Sequence, residues 1–257
     1  MEDLLIQALN GLASASSLFL VASGLTVIFG VSRIVNFAHG SLYMLGAYLG
    51  WTLVTKLPEG LAGTSLGFWG GIILAALIVG AIGVLIEMLL LRRIYEAPEL
   101  FQLLATFGVV LVVQDLALLV WGPQDLLGPR APLLRGSTDL LGFRFPRYEL
   151  FLIIVGPVVL GLLWLLFHRT RWGTLVRAAT QDREMVSALG VDQRRLFTSV
   201  FFLGAMLAGF GGALQLPRES VNLQMDLAII TDAFVVVVVG GLGSLPGAFL
   251  AALLIGE

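Results

Sequence analysis

Residues 4–32 read LLIQALNGLASASSLFLVASGLTVIFGVS, 29 residues without one Asp, Glu, Lys or Arg. A bilayer core about 30 Å thick is crossed by about 20 residues of α-helix, so this stretch is long enough to span it once. Five more charge-free stretches follow, at 34–55, 60–86, 150–168, 196–217 and 233–256, and the six together exceed half of the 257 residues. The 15 Lys and Arg with 17 Asp and Glu make 12% of the chain, about half the share usual in soluble domains. An ordinary water-soluble globule is excluded. The pattern predicts an all-α, polytopic integral membrane protein with about seven helical spans, near 4–31, 34–55, 66–91, 100–121, 150–167, 197–216 and 227–255.

Composition also removes several functions. A net charge of −2 with a single lysine, Lys56, offers no basic surface for nucleic acid. The absence of cysteine excludes disulfides and thiolate metal sites, and two histidines, His39 and His168, cannot build a multi-histidine site. No cofactor is implied. The acidic start Met1-Glu2-Asp3 lacks the basic region of a secretory signal, so the first apolar run reads as a retained span. A phosphate-binding loop needs Gly-Lys-Ser/Thr, and Lys56 follows Thr55. The run Val235–Val239 before Gly240-Gly241-Leu242-Gly243 imitates a dinucleotide loop, yet the third glycine of that pattern falls on Pro246. With no histidine placed to activate a nucleophile, no catalytic residue is expected. Energy for any uphill work must come from another subunit.

Two polar stretches interrupt the spans. Residues 122–149 carry four prolines and read as an extramembrane excursion, in the form of a hairpin. Residues 168–195 hold six arginines and three acids. Placing this second loop in the cytoplasm puts nine basic residues inside and six outside, in the sense of the positive-inside rule. Trp51, Trp69 and Trp121 then fall near the outer interface, and Trp164 and Trp172 near the inner one.

Three features suggest function. Asn36-Phe37-Ala38-His39-Gly40 opens the second span, and Asn36 and His39, three apart, would share a helix face turned inward, because polar groups at membrane depth need protein or water partners. A plain helix cap at the interface is the competing reading. Gly240-Gly241-Leu242-Gly243-Ser244-Leu245-Pro246-Gly247 interrupts the last apolar run and should unwind or kink it, as broken helices do around transport pathways. Close packing through small residues would leave the same pattern. The loop segment 174–195 carries Leu175, Ala178, Ala179, Asp182, Met185, Val186 and Leu189 at helical spacing, with Arg177 and Glu184 largely off that stripe. Gly190 suits its C-terminal stop, and Asp192 the cap of the next span. Such a helix could lie at the interface or dock a soluble motor subunit. Asp115, two-thirds along the fourth span, should face the bundle or outer water, and Glu87 suits an interfacial ion partner of Arg92 and Arg93.

With these residues in view, the chain resembles the permeases of bacterial ABC importers for branched-chain amino acids, in particular the H-type subunits of Liv systems. The resemblance rests on Gly24-Leu25-Thr26 with Gly30, the Asn36–Gly40 run with Met44, Gly46, Ala47 and Tyr48, then Arg177-Ala178-Ala179, Asp182, Leu189-Gly190-Val191, Ala208-Gly209 and Gly240–Ser244. It implies one transmembrane domain, 1–257, of a heteromeric importer in the bacterial inner membrane. Its partners would be a second permease subunit, two ATPase subunits and a periplasmic substrate-binding protein. The substrate pathway would involve Asn36, His39, Gly40, Asp115, Gly240, Gly241, Gly243 and Pro246. Coupling to the ATPase would fall on the 168–195 loop, at Arg177, Asp182, Glu184 and Gly190. Glu184 and Gly190 keep the glutamate-to-glycine spacing of importer coupling helices, although Met185 and Val186 replace its two alanines. Members of that family continue through at least one more span, so the stop at Gly256-Glu257 predicts a C-terminally truncated sequence. A permease for urea, short amides or other amino acids is the nearest rival reading. A stand-alone channel or secondary transporter, and a membrane scaffold, are rivals from other classes.

Overall fold

The computed structural model describes residues 2–56, 63–140 and 143–256, leaving both chain ends, Met1 and Glu257, outside the described residues. Apolar, uncharged sequence gives long helices because a backbone surrounded by lipid must satisfy its own hydrogen bonds. Among the described residues eleven helices result: α1 (Glu2–Ser32), α2 (Ala38–Thr55), α3 (Ser65–Ile86), α4 (Arg92–Ile94), α5 (Glu99–Trp121), α6 (Arg147–Arg169), α7 (Arg171–Gln181), α8 (Arg183–Ala188), α9 (Gln193–Leu214), α10 (Met225–Gly240) and α11 (Leu245–Ile255). A π-helical turn, Glu87–Leu91, joins α3 to α4. Between α5 and α6, β1 (Ser137–Leu140) pairs antiparallel with β2 (Phe143–Pro146), Ser137 opposite Pro146.

Among the described residues, five helical segments are long and apolar enough to cross a membrane: Ile6–Ser32, Ser65–Ile94, Glu99–Trp121, Arg147–Arg169 and Gln193–Leu214. They are not equivalent. The most apolar window of α1 is 83% buried inside the protein and that of α9 67%, against 22% for α5. α1 and α9 form the core, and α5 lies at the periphery. α9 packs against α1, α2 and α3. Its sequence explains why. Gly204, Ala205, Ala208, Gly209, Gly212 and Ala213 are all buried, and small residues let helix backbones approach closely where lipid offers little hydrophobic drive. A Cβ at Gly46 of α2 would collide with the carbonyl of Gly209, and one at Gly212 with the carbonyl of Tyr43.

Two sequence expectations change here. The apolar run 227–255 is not one span. α10 ends at Gly240, the chain turns through Gly241 (φ 91°) and Gly243 (φ 89°), and α11 runs back beside α10. Gly243 lies against Gly30 and Gly256 against Ala15, so α11 is antiparallel to α1. Pro246 does not kink a helix: it occupies the first turn of α11, where a missing N–H costs nothing, with Ser244 as N-cap. The loop helix is also divided. Asp182 ends α7 in an extended conformation and caps α8, its side chain accepting from the Met185 N–H at 2.9 Å. The break rotates the predicted stripe, so that Val176, Ala179 and Val186 are buried while Leu175, Met185 and Leu189 are exposed.

Candidate functional site

The link between α1 and α2 is residues 33–37. Arg33 adopts φ 58°, which turns the chain back sharply after α1. The Ser32 hydroxyl donates to the Ile28 carbonyl at 2.9 Å and accepts from the Ile34 N–H at 3.2 Å. Asn36 Oδ1 accepts from the Ala38 N–H at 3.1 Å, so Asn36 makes a turn ahead of α2 instead of sharing a helix face with His39. Both side chains are nonetheless buried, at 1% and 0% exposure. His39 Nε2 donates to the Val21 carbonyl at 3.0 Å. That oxygen can only accept, which places a proton on Nε2. Val21 lies eleven residues before the end of α1, about 16 Å along the helix axis. Five extended residues reach about that far. α2 therefore starts at mid-depth, reached by a stretch of non-helical chain.

α10 meets it there. Asp226, 1% exposed, accepts from Gln114 Nε2 on α5 at 3.0 Å to each oxygen, from the Ser41 hydroxyl at 3.2 Å and from the Leu227 N–H at 2.7 Å. Gly40 touches the Asp226 backbone carbonyl and leaves no room for a Cβ. Phe37 packs on Phe234, ring centroids 5.1 Å apart. The carboxylate faces the end of α10 where free N–H groups carry partial positive charge, which with four donated hydrogen bonds compensates its burial.

Two cavities flank this level along α1. One, of about 590 Å³, lies at the end away from the 168–195 loop, where Ser14, Ser17, Tyr43, Arg218, Glu219 and Asp232 line it. Arg218 Nε donates to Glu149 at 3.0 Å and Ser17 to Gln215 at 3.2 Å. The other, of about 180 Å³, lies at the arginine-rich end, bordered by Thr26, Gly30, Arg177, Thr180, Gly243 and Pro246. Between them, α1 is closed: Phe19, Leu20, Val21, Ala22, Ser23 and Leu25 are each 0% exposed, with Phe249 edge-on to Phe19 at 5.1 Å and His39 on Val21. α7 touches both interruptions of the helices, since an Arg33 guanidinium nitrogen donates to the Thr180 carbonyl at 3.3 Å and Arg177 and Thr180 share the smaller cavity with Gly243.

The sequence candidates separate accordingly. Asn36, His39 and Gly40 lie at the closed level; Gly243 and Pro246 line the smaller cavity, with Gly240 and Gly241 at the turn that leads to it. The two groups are not adjacent, because His39 sits by Val21 and Gly24 while Gly243 sits by Gly30. Asp115 lies apart from both groups. It is exposed on α5 among exposed Leu111, Val112, Leu116 and Leu119, and its neighbour Gln114 is the residue that turns inward. The position of α5 at the rim, with one flank covered, turns Asp115 outward. The buried carboxylate beside the start of α2 is Asp226, which sequence reasoning passed over. Its place one residue ahead of an apparent span makes it look solvated, and only the convergence of Ser41 and Gln114 shows otherwise. Arg177 borders the smaller cavity, Asp182 is the cap of α8, Glu184 lies in its first turn, and Gly190 (φ 81°) follows its end. Glu87 is fully buried and ion-paired with Arg92 at 2.9 Å.

A bundle of membrane-crossing helices with two chain interruptions, and with polar groups buried midway between two opposed cavities, defines a multi-pass membrane protein of the permease class. Residues 7–257 match the family described as the permease component of branched-chain amino acid transport systems, and the chain belongs to that family. It is 29% identical to the high-affinity branched-chain amino acid transport system permease protein BraD of Pseudomonas aeruginosa, over 97% of this chain and 83% of the relative. It is 28% identical to LivH of Escherichia coli K12, over the same shares, and 27% identical to LivM of that strain, over 90% of this chain and 58% of LivM. No solved structure matches the chain.

Proposed function

We propose that this chain is a transmembrane permease subunit of an ATP-driven importer that moves branched-chain, hydrophobic amino acids across the bacterial inner membrane. The observation that carries the reading is the pair of cavities on opposite ends of α1, closed from each other at Phe19–Leu25. A transporter that alternates access needs such a closed level between two openings, at the interruptions of its helices. The larger cavity would face the periplasmic binding protein, and the arginine-rich end the cytoplasm. The sequence holds no phosphate-binding loop, so two ATPase subunits would supply the energy and a second permease subunit would complete the path.

Coupling would run through α7 and α8. Leu175, Met185 and Leu189 stand 37%, 62% and 77% exposed at the arginine-rich end, an apolar surface suited to a soluble motor subunit, with Arg177, Asp182, Glu184 and Gly190 around it. Movement of α7 would reach both chain interruptions through Arg33 and the smaller cavity. ATP would shift the equilibrium by binding one arrangement of the assembly better than the other. Asn36, His39 and Gly40 would form the closed level, and Gly240, Gly241, Gly243 and Pro246 the turn beneath it. Asp115, facing away from both cavities, is left out of the path.

The test is reconstitution. Vesicles holding this chain with its partner permease, ATPases and binding protein should accumulate labelled leucine only when ATP is supplied. ATP-independent leucine uptake by this chain alone would overturn the proposal.

A further inference from the structure

Beneath the π-helical turn lies a feature that transport does not call on. Glu87, a carboxylate with 0% exposure, accepts from Arg92 Nε at 3.2 Å and Nη2 at 2.9 Å, from Tyr95 Oη at 3.2 Å and from Thr198 Oγ1 at 2.9 Å. Arg92 Nη2 donates to Thr198 as well, at 2.6 Å. A buried acid and a rare backbone turn are thus spent on holding one guanidinium in place. π-helical turns concentrate at functional sites.

That guanidinium stands at the rim of a groove of about 520 Å³ between the end of α3 and α9. Val84, Met88 and Phe202 line its apolar part, and Arg92, Arg194 and Arg195 its rim. Asp192 also borders it, but its carboxylate is engaged: Oδ1 accepts from the Arg194 and Arg195 N–H groups and Oδ2 from Arg195 Nε at 3.2 Å. Arg194 makes no side-chain hydrogen bond or ion pair among the described residues. Three guanidiniums against the carboxylates of Glu87 and Asp192 leave one net positive charge, the complement of a single phosphodiester. Leu85, Met88 and Leu89 beside the groove are exposed and apolar, as a surface against acyl chains would be.

We infer that this groove binds the headgroup phosphate of an anionic phospholipid, with an acyl chain along Val84, Met88 and Phe202. Basic pockets between membrane helices are suited to such headgroups, and the phosphate would accept from Arg92, Arg194 and Arg195. The inference rests on the chain's being a membrane protein and is independent of what it transports.

Native mass spectrometry of the purified full chain, in detergent holding equal phosphatidylglycerol and phosphatidylcholine, tests it. The wild type should retain phosphatidylglycerol preferentially. Loss of one surface arginine is worth about fivefold in lipid affinity, so Arg194→Gln should lower retention about fivefold and the Arg194→Gln/Arg195→Gln pair about twenty-five-fold, with phosphatidylcholine unchanged. Arg169→Gln, at the same end but outside the groove, should retain the lipid. Should the double variant not accumulate, Arg194→Gln alone decides. Equal retention of both lipids by the wild type, or undiminished phosphatidylglycerol on the variants, overturns the inference. So does displacement of the lipid by millimolar inorganic phosphate, which would mark a free-anion site. Undiminished lipid with loss of a co-purifying soluble subunit would assign the arginines to a protein contact and overturn it equally.

Discussion

The two interruptions of the helices, residues 33–37 and 241–244, solve one problem in opposite ways. The first leads into the protein's interior and is made from side chains: Ser32 and Asn36 take up backbone N–H groups, Arg33 carries the left-handed turn, and Asn36 and His39 are buried. The second lies at the arginine-rich end and is made from glycine: Gly241 and Gly243 supply positive φ, and Leu242, Gly243 and Ser244 are exposed. Burial demands partners for backbone groups, which Ser32 and Asn36 supply while Asn36 Nδ2 and His39 Nδ1 themselves stay unpartnered, whereas an exposed turn needs only conformational freedom. The first is a fixed element and the second an adaptable one.

Substitutions can break this contrast, beginning with the largest effect. Gly40→Val drives a side chain into the Asp226 carbonyl and Ile230; it should cost about 3 kcal/mol, at the upper end for overpacking, and abolish leucine uptake. Denaturation in detergent and vesicle uptake measure the two consequences. Asp226→Ala strands the donors of Ser41 and Gln114 and should cost about 2 kcal/mol in the same denaturation assay, the range for buried groups left unpaired. Gly243→Ala meets no closer atom than Gly30 Cα at 3.4 Å, so its cost is conformational, about 1–2 kcal/mol. Ser244→Ala removes the cap of α11, which accepts from the Gly247 N–H at 3.2 Å, and should cost about 1 kcal/mol or less. If the Gly243 and Ser244 changes outweighed those at Gly40 and Asp226, the ranking of the two interruptions would be reversed.

A cysteine-free chain permits a sharper comparison that leaves stability alone. Cysteines at 30 and 243 should form a disulfide under mild oxidant, because Gly30 and Gly243 are in contact. Cysteines at 39 and 243 should remain free. A gel shift separates the two, and a 39–243 crosslink would show the interruptions closing on each other.

Charge spacing carried most of the architecture, since a run of about 20 uncharged residues has few alternatives to a membrane helix. It merged α10 and α11 because glycine and proline in an apolar run do not say whether a helix bends or turns back. That choice is made by the contacts of Gly243 with Gly30 and Gly256 with Ala15. The two acids of α5 and α10 are hard to tell apart in sequence for a related reason. Asp115 interrupts one apolar run and Asp226 precedes another, and burial separates them only once α5 turns Asp115 outward while Ser41 and Gln114 close on Asp226. The cap roles of Asp192 and the stop at Gly190 were legible because they are local, fixed by a few residues of sequence.

The mid-depth start of α2 bears on how the chain is made. Its polar foot is secured by residues far along the sequence: Ser41 by Asp226, 185 residues later, while α1 is joined to the far end of α9 by Ser17 and Gln215, 198 apart. While the ribosome is still within the first two hundred residues, α1 and α2 have reached the bilayer without the helices that satisfy them. The charge-free stretch 34–55 is long enough to enter as an ordinary span, with His39 able to meet Val21 of α1 early while Ser41 waits for Asp226 of α10. The contact between Ser41 and Asp226 therefore forms only after α10 has emerged, with a segment already inserted.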